Sequence, residues 1–251
     1  MSPQPAQCPA DYDPATADFS DQVILVSGAS GALGRQVSLL AAAAGATVVI
    51  AGQSISKLEA LYDEIEQDGG PSAAIVPINL AGASFKDYVQ IADQLRTSLG
   101  RLDGLLHAAA HFKGCYPIQE IEPQDWINNL QVNLTATWAL TRACLPLLQD
   151  ADASSVVTVN DETRAYMGAY GLAKAAQRAL AETWAAELGE QAIRPRFNQL
   201  QPGAMRSGLR ERGFPGETIH ETPGPEAAAR AALWLLDRRS APLHGAMVSS
   251  A

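Results

Sequence analysis

Seven short apolar runs alternate with helical stretches from residue 22 onward, and this rhythm constrains the fold more than any other feature. Residues 22–27 (QVILVS), 47–51 (TVVIA), 74–78, 102–107, 155–159, 195–200 and 246–249 are short, mostly apolar and bounded by turn residues, so they read as strands. Residues 32–44, 54–67, 85–99, 126–148, 168–189 and 225–237 read as helices, with Gly45 and Gly100 as stops. Strand and helix in alternation, with short connections, predict an α/β chain: a doubly wound parallel sheet of about seven strands with helices on both faces. No composition break follows residue 20, so residues 21–251 read as a single domain. Residues 1–20 hold Pro and Asp without Lys or Arg, and read as a solvated, flexible leader rather than a signal peptide.

Composition narrows the partners. The 251 residues are 47% hydrophobic, ample for a buried core, and carry 18 Lys+Arg against 27 Asp+Glu, a formal charge of −9. Nucleic acids and anionic membranes recruit basic surfaces, so neither is expected as a partner. Residues 36–56 carry no charge, but they are alanine-rich and broken by Gly45 and Gly52, which favours a buried helix and strand over a membrane span. Cys8, Cys115 and Cys144 form no CxxC pair, which fits reduced thiols and a cytoplasmic location. His107 and His111 are four apart but lie at a strand end and in a loop, so no metal is expected.

In a doubly wound sheet, ligands bind outside the carboxyl ends of the strands. Two loops there carry chemistry. Residues 27–34 (SGASGALG) follow the first strand and open a helix, a pattern whose backbone N–H groups can approach a diphosphate. Tyr170 and Lys174 stand four apart at the start of an apolar helix, and therefore on one face of it. A cation beside a phenol lowers its pKa and makes it usable as an acid or base near neutrality.

Together with AGQSISKL, RLDGLLHAAA, QVNLTATWALT and QPGAMRS, these motifs make the chain resemble the short-chain dehydrogenase/reductase family and, within it, the bacterial YciK-like subgroup. The resemblance runs from about residue 21 to the C-terminus. It implies an NAD(P)(H)-dependent oxidoreductase that moves a hydride between nicotinamide and a carbonyl or alcohol carbon. Tyr170 would be the general acid/base, Lys174 its pKa-lowering partner and nicotinamide-ribose ligand, and Asn133 the helix position that holds a relay water. Cofactor contacts would come from Gly28, Ser30, Gly31, Ala32, Leu33, Gly34, Gln53, Ser54, Asn79, Leu80, Ala108, Ala109, Lys174, Pro202, Gly203 and Ser207. Relatives pair through the two long helices at 126–148 and 168–189, so a homodimer or homotetramer is expected, with a small carbonyl or alcohol substrate.

Several positions depart from the family pattern. Ala32 stands for the middle glycine of the loop, His107-Ala108-Ala109-Ala110 for the usual NNAG, Asn79 for an Asp, and Ser207 for a Thr. The family's active-site Ser falls by strand alignment on Asp161, nine residues before Tyr170. An ionised carboxylate cannot donate to a carbonyl oxygen and would raise the phenol's pKa. Thr158 and Thr163 are alternative hydroxyl sources. The substitution bears on activity, and leaves open a second reading: a catalytically weakened nucleotide-binding or protein-interaction module on the same fold. After the second strand, Gly52-Gln53-Ser54 supplies no acid for a ribose 2′-OH; with Arg35 and Lys57 near, NADP(H) is favoured over NAD(H).

Overall fold

The computed structural model describes residues 4–161, 163–190 and 194–250. Eight parallel strands form one sheet: β1 Gln4–Gln7, β2 Val23–Ser27, β3 Thr47–Gly52, β4 Ala74–Pro77, β5 Gly104–His107, β6 Ser155–Val159, β7 Arg196–Gln201 and β8 Ala246–Ser249. Their order is β1-β8-β7-β6-β5-β2-β3-β4. The helices are α1 Ala32–Ala43, α2 Ile55–Gln67, α3 Phe85–Ser98, α4 Pro123–Leu130, α5 Ala136–Asp150, α6 Gly168–Glu190, α7 Gly208–Gly213 and α8 Glu226–Leu236.

The central strands are mostly apolar because both of their faces are covered. Ile24 and Val26 of β2 join Val48 and Ile50 of β3 under α1, α2 and α8. Their neighbours Val23, Leu25 and Val49 point the other way, onto a layer with Leu95, Leu140, Leu147 and Leu188. The period of two along each strand thus feeds two cores from one sheet.

The eighth strand lies in the segment read as a leader. Gln4–Gln7 pairs with β8 from Gln4↔Ala246 to Gln7↔Ser249, as an edge strand held by its main chain. Its sequence, QPAQ, has no apolar alternation, and Pro5 is tolerated because the strand is at an edge. Beyond it, Phe19 is fully buried and Tyr12 nearly so. Tyr12 Oη donates to Asp237 Oδ2 at 3.1 Å, and Arg230 Nε donates to the Tyr12 carbonyl at 2.7 Å. Residues 4–20 are therefore a strap packed on the domain rather than a flexible leader.

Two further differences bear on the site. The helix expected over 126–148 is α4 and α5 joined through a π-helical turn at Gln131–Thr135, which carries the buried Asn133. The short helix α7 forms in a stretch for which the sequence pattern gave no helix. Among the described residues no helix is long and apolar enough to cross a membrane.

β2 lies between β3 and β5, so the chain leaves it toward one edge of the sheet and later returns on its other side. Loops diverge at that point and open a crevice at the carboxyl ends of the strands.

Candidate active site

A cleft of about 720 Å³ occupies that crevice. The loop after β2 forms its floor, seated directly on the backbone that follows β5. Gly28 has a φ of +71°, and a Cβ there would lie 2.5 Å from Ala109 Cα, so only glycine fits. Ala108 N donates to the Ser27 carbonyl at 3.1 Å, which locks the two loops together. A Cβ at Gly34 would lie 2.3 Å from the Gly28 carbonyl oxygen, so the first turn of α1 packs on the same loop. No side chain caps α1. Its first N–H groups are left for an anion, and the glycine cradle brings backbone close enough to meet a diphosphate. These features fit the phosphate-bearing part of a dinucleotide.

Of the expected cofactor set, Gly28, Ser30, Gly31, Ala32, Leu33, Gly34, Gln53, Asn79, Leu80, Ala108, Ala109, Lys174, Pro202, Gly203 and Ser207 all line the cleft. Ser54 is not among the lining residues; its Oγ lies 3.3 Å from Ser56 Oγ. Lys57 lines the cleft, but Arg35 does not: its guanidinium pairs with Glu64 of α2.

The reacting end is built around the first turns of α6. Tyr170 is buried, with its ring 4.6 Å from that of Phe112 between centroids. Its Oη donates to Asp161 Oδ2 at 2.9 Å. Burial and the Asp161 carboxylate together hold the phenol well above its ordinary pKa. One turn on, buried Lys174 donates from Nζ to the Val159 carbonyl at 2.7 Å and to Gln177 Oε1 at 3.1 Å. Burial pulls its pKa down to about 8, opposed by the attraction of Asp161. The ammonium lies 5.9 Å from the centre of the Tyr170 ring.

The expected alternative hydroxyls do not reach this place. Thr158 Oγ1 is buried without a partner among the described residues, and Thr163 Oγ1 donates to the Gly171 carbonyl at 3.1 Å. Neither lines the cleft, whereas Asp161 does.

Asn133 also lies outside the lining. Its Oδ1 accepts from His111 N and its Nδ2 donates to the His111 carbonyl, both at 2.9 Å. The π turn thus clamps the peptide of His111, while His111 Nε2 donates to Asp125 Oδ1 at 2.7 Å. His107 faces elsewhere, with Nε2 2.8 Å from Thr141 Oγ1. Burial, and secondarily Lys174, lower its pKa to about 3, so it is neutral in ordinary buffers. The two histidines serve different networks, and no group of three or more metal-ligating side chains gathers among the described residues.

Sequence reasoning missed the residues that close the far end of the cleft: Phe112, Met167, Leu209, Arg210, Arg212 and Phe214. They come from three separate loops, and no local spacing announces them. Arg212, in the turn-rich stretch 211–216 (ERGFPG), was the available signal.

The chain was compared with known proteins. A family model described as short chain dehydrogenase matches residues 22–217. The oxidoreductase YciK of Escherichia coli strain K12 is 33% identical over 229 residues, 90% of each chain. A solved structure of YciK from E. coli superposes with a TM-score of 0.91 at 32% identity, covering 96% of this chain and 99% of that one. A short chain dehydrogenase from Shigella flexneri 2a strain 301, solved in complex with NADP, gives 0.89 at 31% identity, over 94% and 99% of the two chains.

Proposed function

This chain belongs to the short chain dehydrogenase family, and on that premise we propose that it is an NADP(H)-dependent oxidoreductase of small carbonyl or alcohol substrates. The observation that carries the reading is the pairing of Tyr170 with Lys174 in a cleft floored by the glycine loop. The nicotinamide nucleotide supplies and accepts the hydride; the chain supplies its binding and the proton.

Backbone groups from Gly28 to Gly34 would hold the diphosphate. Gln53 and Lys57 would meet the ribose and its 2′-phosphate, Asn79 and Leu80 the adenine, and Ala108, Ala109, Pro202, Gly203 and Ser207 the nicotinamide half. The absence of an acid at the end of β3, the placement of Lys57 in the cleft, and the NADP bound by the Shigella relative support NADP(H) over NAD(H).

Tyr170 Oη is the proton donor to the substrate oxygen in reduction and the acceptor in oxidation. The Lys174 ammonium stabilises the phenolate. Asn133 fixes the His111 peptide at the cleft wall and supports the relay from its π turn. Asp161 takes the place of the usual serine. As an anion it keeps Tyr170 protonated, which hinders the phenol as a base and weakens it as an acid.

The test is a fluorescence titration of the purified protein with NADPH and with NADH, followed by a screen of carbonyl compounds. Tyr170→Phe serves as the inactive control. Tighter NADPH binding with turnover that needs Tyr170 supports the reading. The Tyr170–Asp161 hydrogen bond favours one alternative, a nucleotide-binding module with weakened catalysis, which predicts NADPH binding without turnover. Exposed Trp126, Ile127 and Trp138 on α4 and α5 support self-association through this surface, which light scattering would reveal as a dimer or tetramer.

A further inference from the structure

Beyond Tyr170 the cleft combines apolar side chains with two arginines. Phe112, Met167, Leu209 and Phe214 line it beside Arg210 and Arg212. The two guanidiniums are in different states. Arg210 donates Nε and a terminal nitrogen to the Glu217 carboxylate at 2.8 and 2.6 Å and lies 4.3 Å over the Phe214 ring, so its charge is matched. Arg212 donates only from Nε, to the Phe112 carbonyl at 3.3 Å, and meets no carboxylate among the described residues. That bond anchors the side chain and leaves both terminal nitrogens to a ligand.

The position is coupled to the reacting end. A Cβ at Gly213 would lie 2.3 Å from Phe112 Cε1, so α7 sits directly on the Phe112 ring. The same ring meets that of Tyr170 at a tilt of 37°. Arg212, exposed at the rim of the cleft, thus sits on the backbone of the residue whose ring meets the phenol's. Charge balance agrees. Among the described residues, Lys57, Lys174, Arg210 and Arg212 line the cleft against one carboxylate, that of Asp161, in a chain whose formal charge is −9. Lys57 lies by the nucleotide loops, Lys174 under Tyr170, and Arg210 on Glu217. Arg212 remains.

We propose that Arg212 binds a carboxylate of the substrate, so that the substrate class is an oxo acid with an apolar body, reduced to the hydroxy acid. The proposal rests on the oxidoreductase reading above. A guanidinium fork matches a carboxylate with two parallel hydrogen bonds. One cation that meets no carboxylate among the described residues balances the single charge of a carboxylate more closely than the near-double charge of a phosphate monoester. Asp161 repels the acid group from the reacting end and so sets the orientation: carboxylate toward Arg212, carbonyl toward Tyr170. In the reaction the carbonyl carbon gains the hydride of the reduced nicotinamide nucleotide, the oxygen gains the Tyr170 proton, and the carboxylate is unchanged.

The experiment uses the full chain with NADPH and a series of aryl oxo acids of increasing carbonyl-to-carboxylate separation, each beside its methyl ester. In the unaltered protein the best acid should exceed its ester in kcat/KM by about tenfold or more. In Arg212→Gln that ratio should fall below about twofold, mainly through KM, with Arg212→Lys between. Calorimetric titration of the same acid into the NADPH-bound protein reads the site without turnover. Acid and ester turned over equally, or a ratio that survives Arg212→Gln, overturns the proposal while leaving the oxidoreductase reading intact. Arg212-dependent binding of the acid without turnover supports the site and defeats the oxidoreductase reading. Weaker NADPH binding in Arg212→Gln assigns the guanidinium to the nucleotide and overturns the proposal, as does a preference for oxo phosphates.

Discussion

Tyr170 Oη donates a 2.9 Å hydrogen bond to Asp161 Oδ2, joining the end of β6 to the first turn of α6. The bond stabilises the neutral phenol, and the carboxylate adds to the burial that already raises its pKa. Replacing Asp161 by Asn removes the charge and keeps the size, so the phenolate becomes easier to form. Alcohol oxidation near pH 8 should rise, because a larger share of the phenol can act as base. Asp161→Ser should gain at least as much, because its hydroxyl can also donate to the substrate oxygen. The check is a pH–rate profile of oxidation, whose alkaline rise should move toward neutrality in both variants. An unmoved profile would show that the Asp161 charge does not act on the phenol.

His107 gives a stability prediction with a defined sign. Its folded pKa, about 3, lies below the usual 6.5 because burial, and then Lys174, disfavour the cation. As pH falls below 6.5 the unfolded chain takes up a proton that the folded one refuses, so stability falls from pH 6.5 toward 3. The full effect is on the order of 5 kcal/mol. His107→Gln can still hydrogen-bond Thr141 but does not titrate. Urea melts at pH 7 and pH 4.5 should show the variant losing less stability on acidification than the parent.

The elements read most directly from sequence were those whose local pattern reports their surroundings. β2, β3 and β6 are apolar because both of their faces are covered. The glycine loop and the Tyr170/Lys174 spacing were equally legible, since each works within a single turn of chain. β1 was not, because QPAQ is held by main-chain bonds that any sequence can make. The Phe112–Arg212 contact spans 100 residues, and no local period encodes it. Arg35 shows the opposite failure. It stands beside the glycine loop in sequence, but α1 turns it onto Glu64.

That placement separates two cations in their effect on cofactor choice. Lys57 lines the cleft, so Lys57→Glu should weaken NADPH binding by about tenfold or more and NADH binding much less, as the new carboxylate repels the 2′-phosphate. Arg35→Ala removes an exposed ion pair outside the lining and should change either affinity by less than about twofold. Fluorescence titrations of both nucleotides give the ratio directly. A larger loss of NADPH preference from Arg35→Ala than from Lys57→Glu would reverse the assignment.

The N-terminal strap gives the sharpest contrast between the sequence expectation and the structure. Phe19 is fully buried and belongs to the core layer that holds Val37, Val48 and Ala46. Its amide donates to the Ala44 carbonyl at 2.8 Å, closing the end of α1 against the strap. Truncating a buried Phe removes its transfer free energy and leaves a cavity, so Phe19→Ala should cost about 3–5 kcal/mol. In a solvated leader the same change would stay within about 0.5 kcal/mol. Tyr12→Phe removes only the hydrogen bond to Asp237, whose carboxylate keeps Arg239, and should cost about 1 kcal/mol. Denaturant unfolding of the two variants therefore tests the strap by magnitude and by order: a large loss for Phe19→Ala, a small one for Tyr12→Phe. Equal and negligible losses would return residues 4–20 to the solvent.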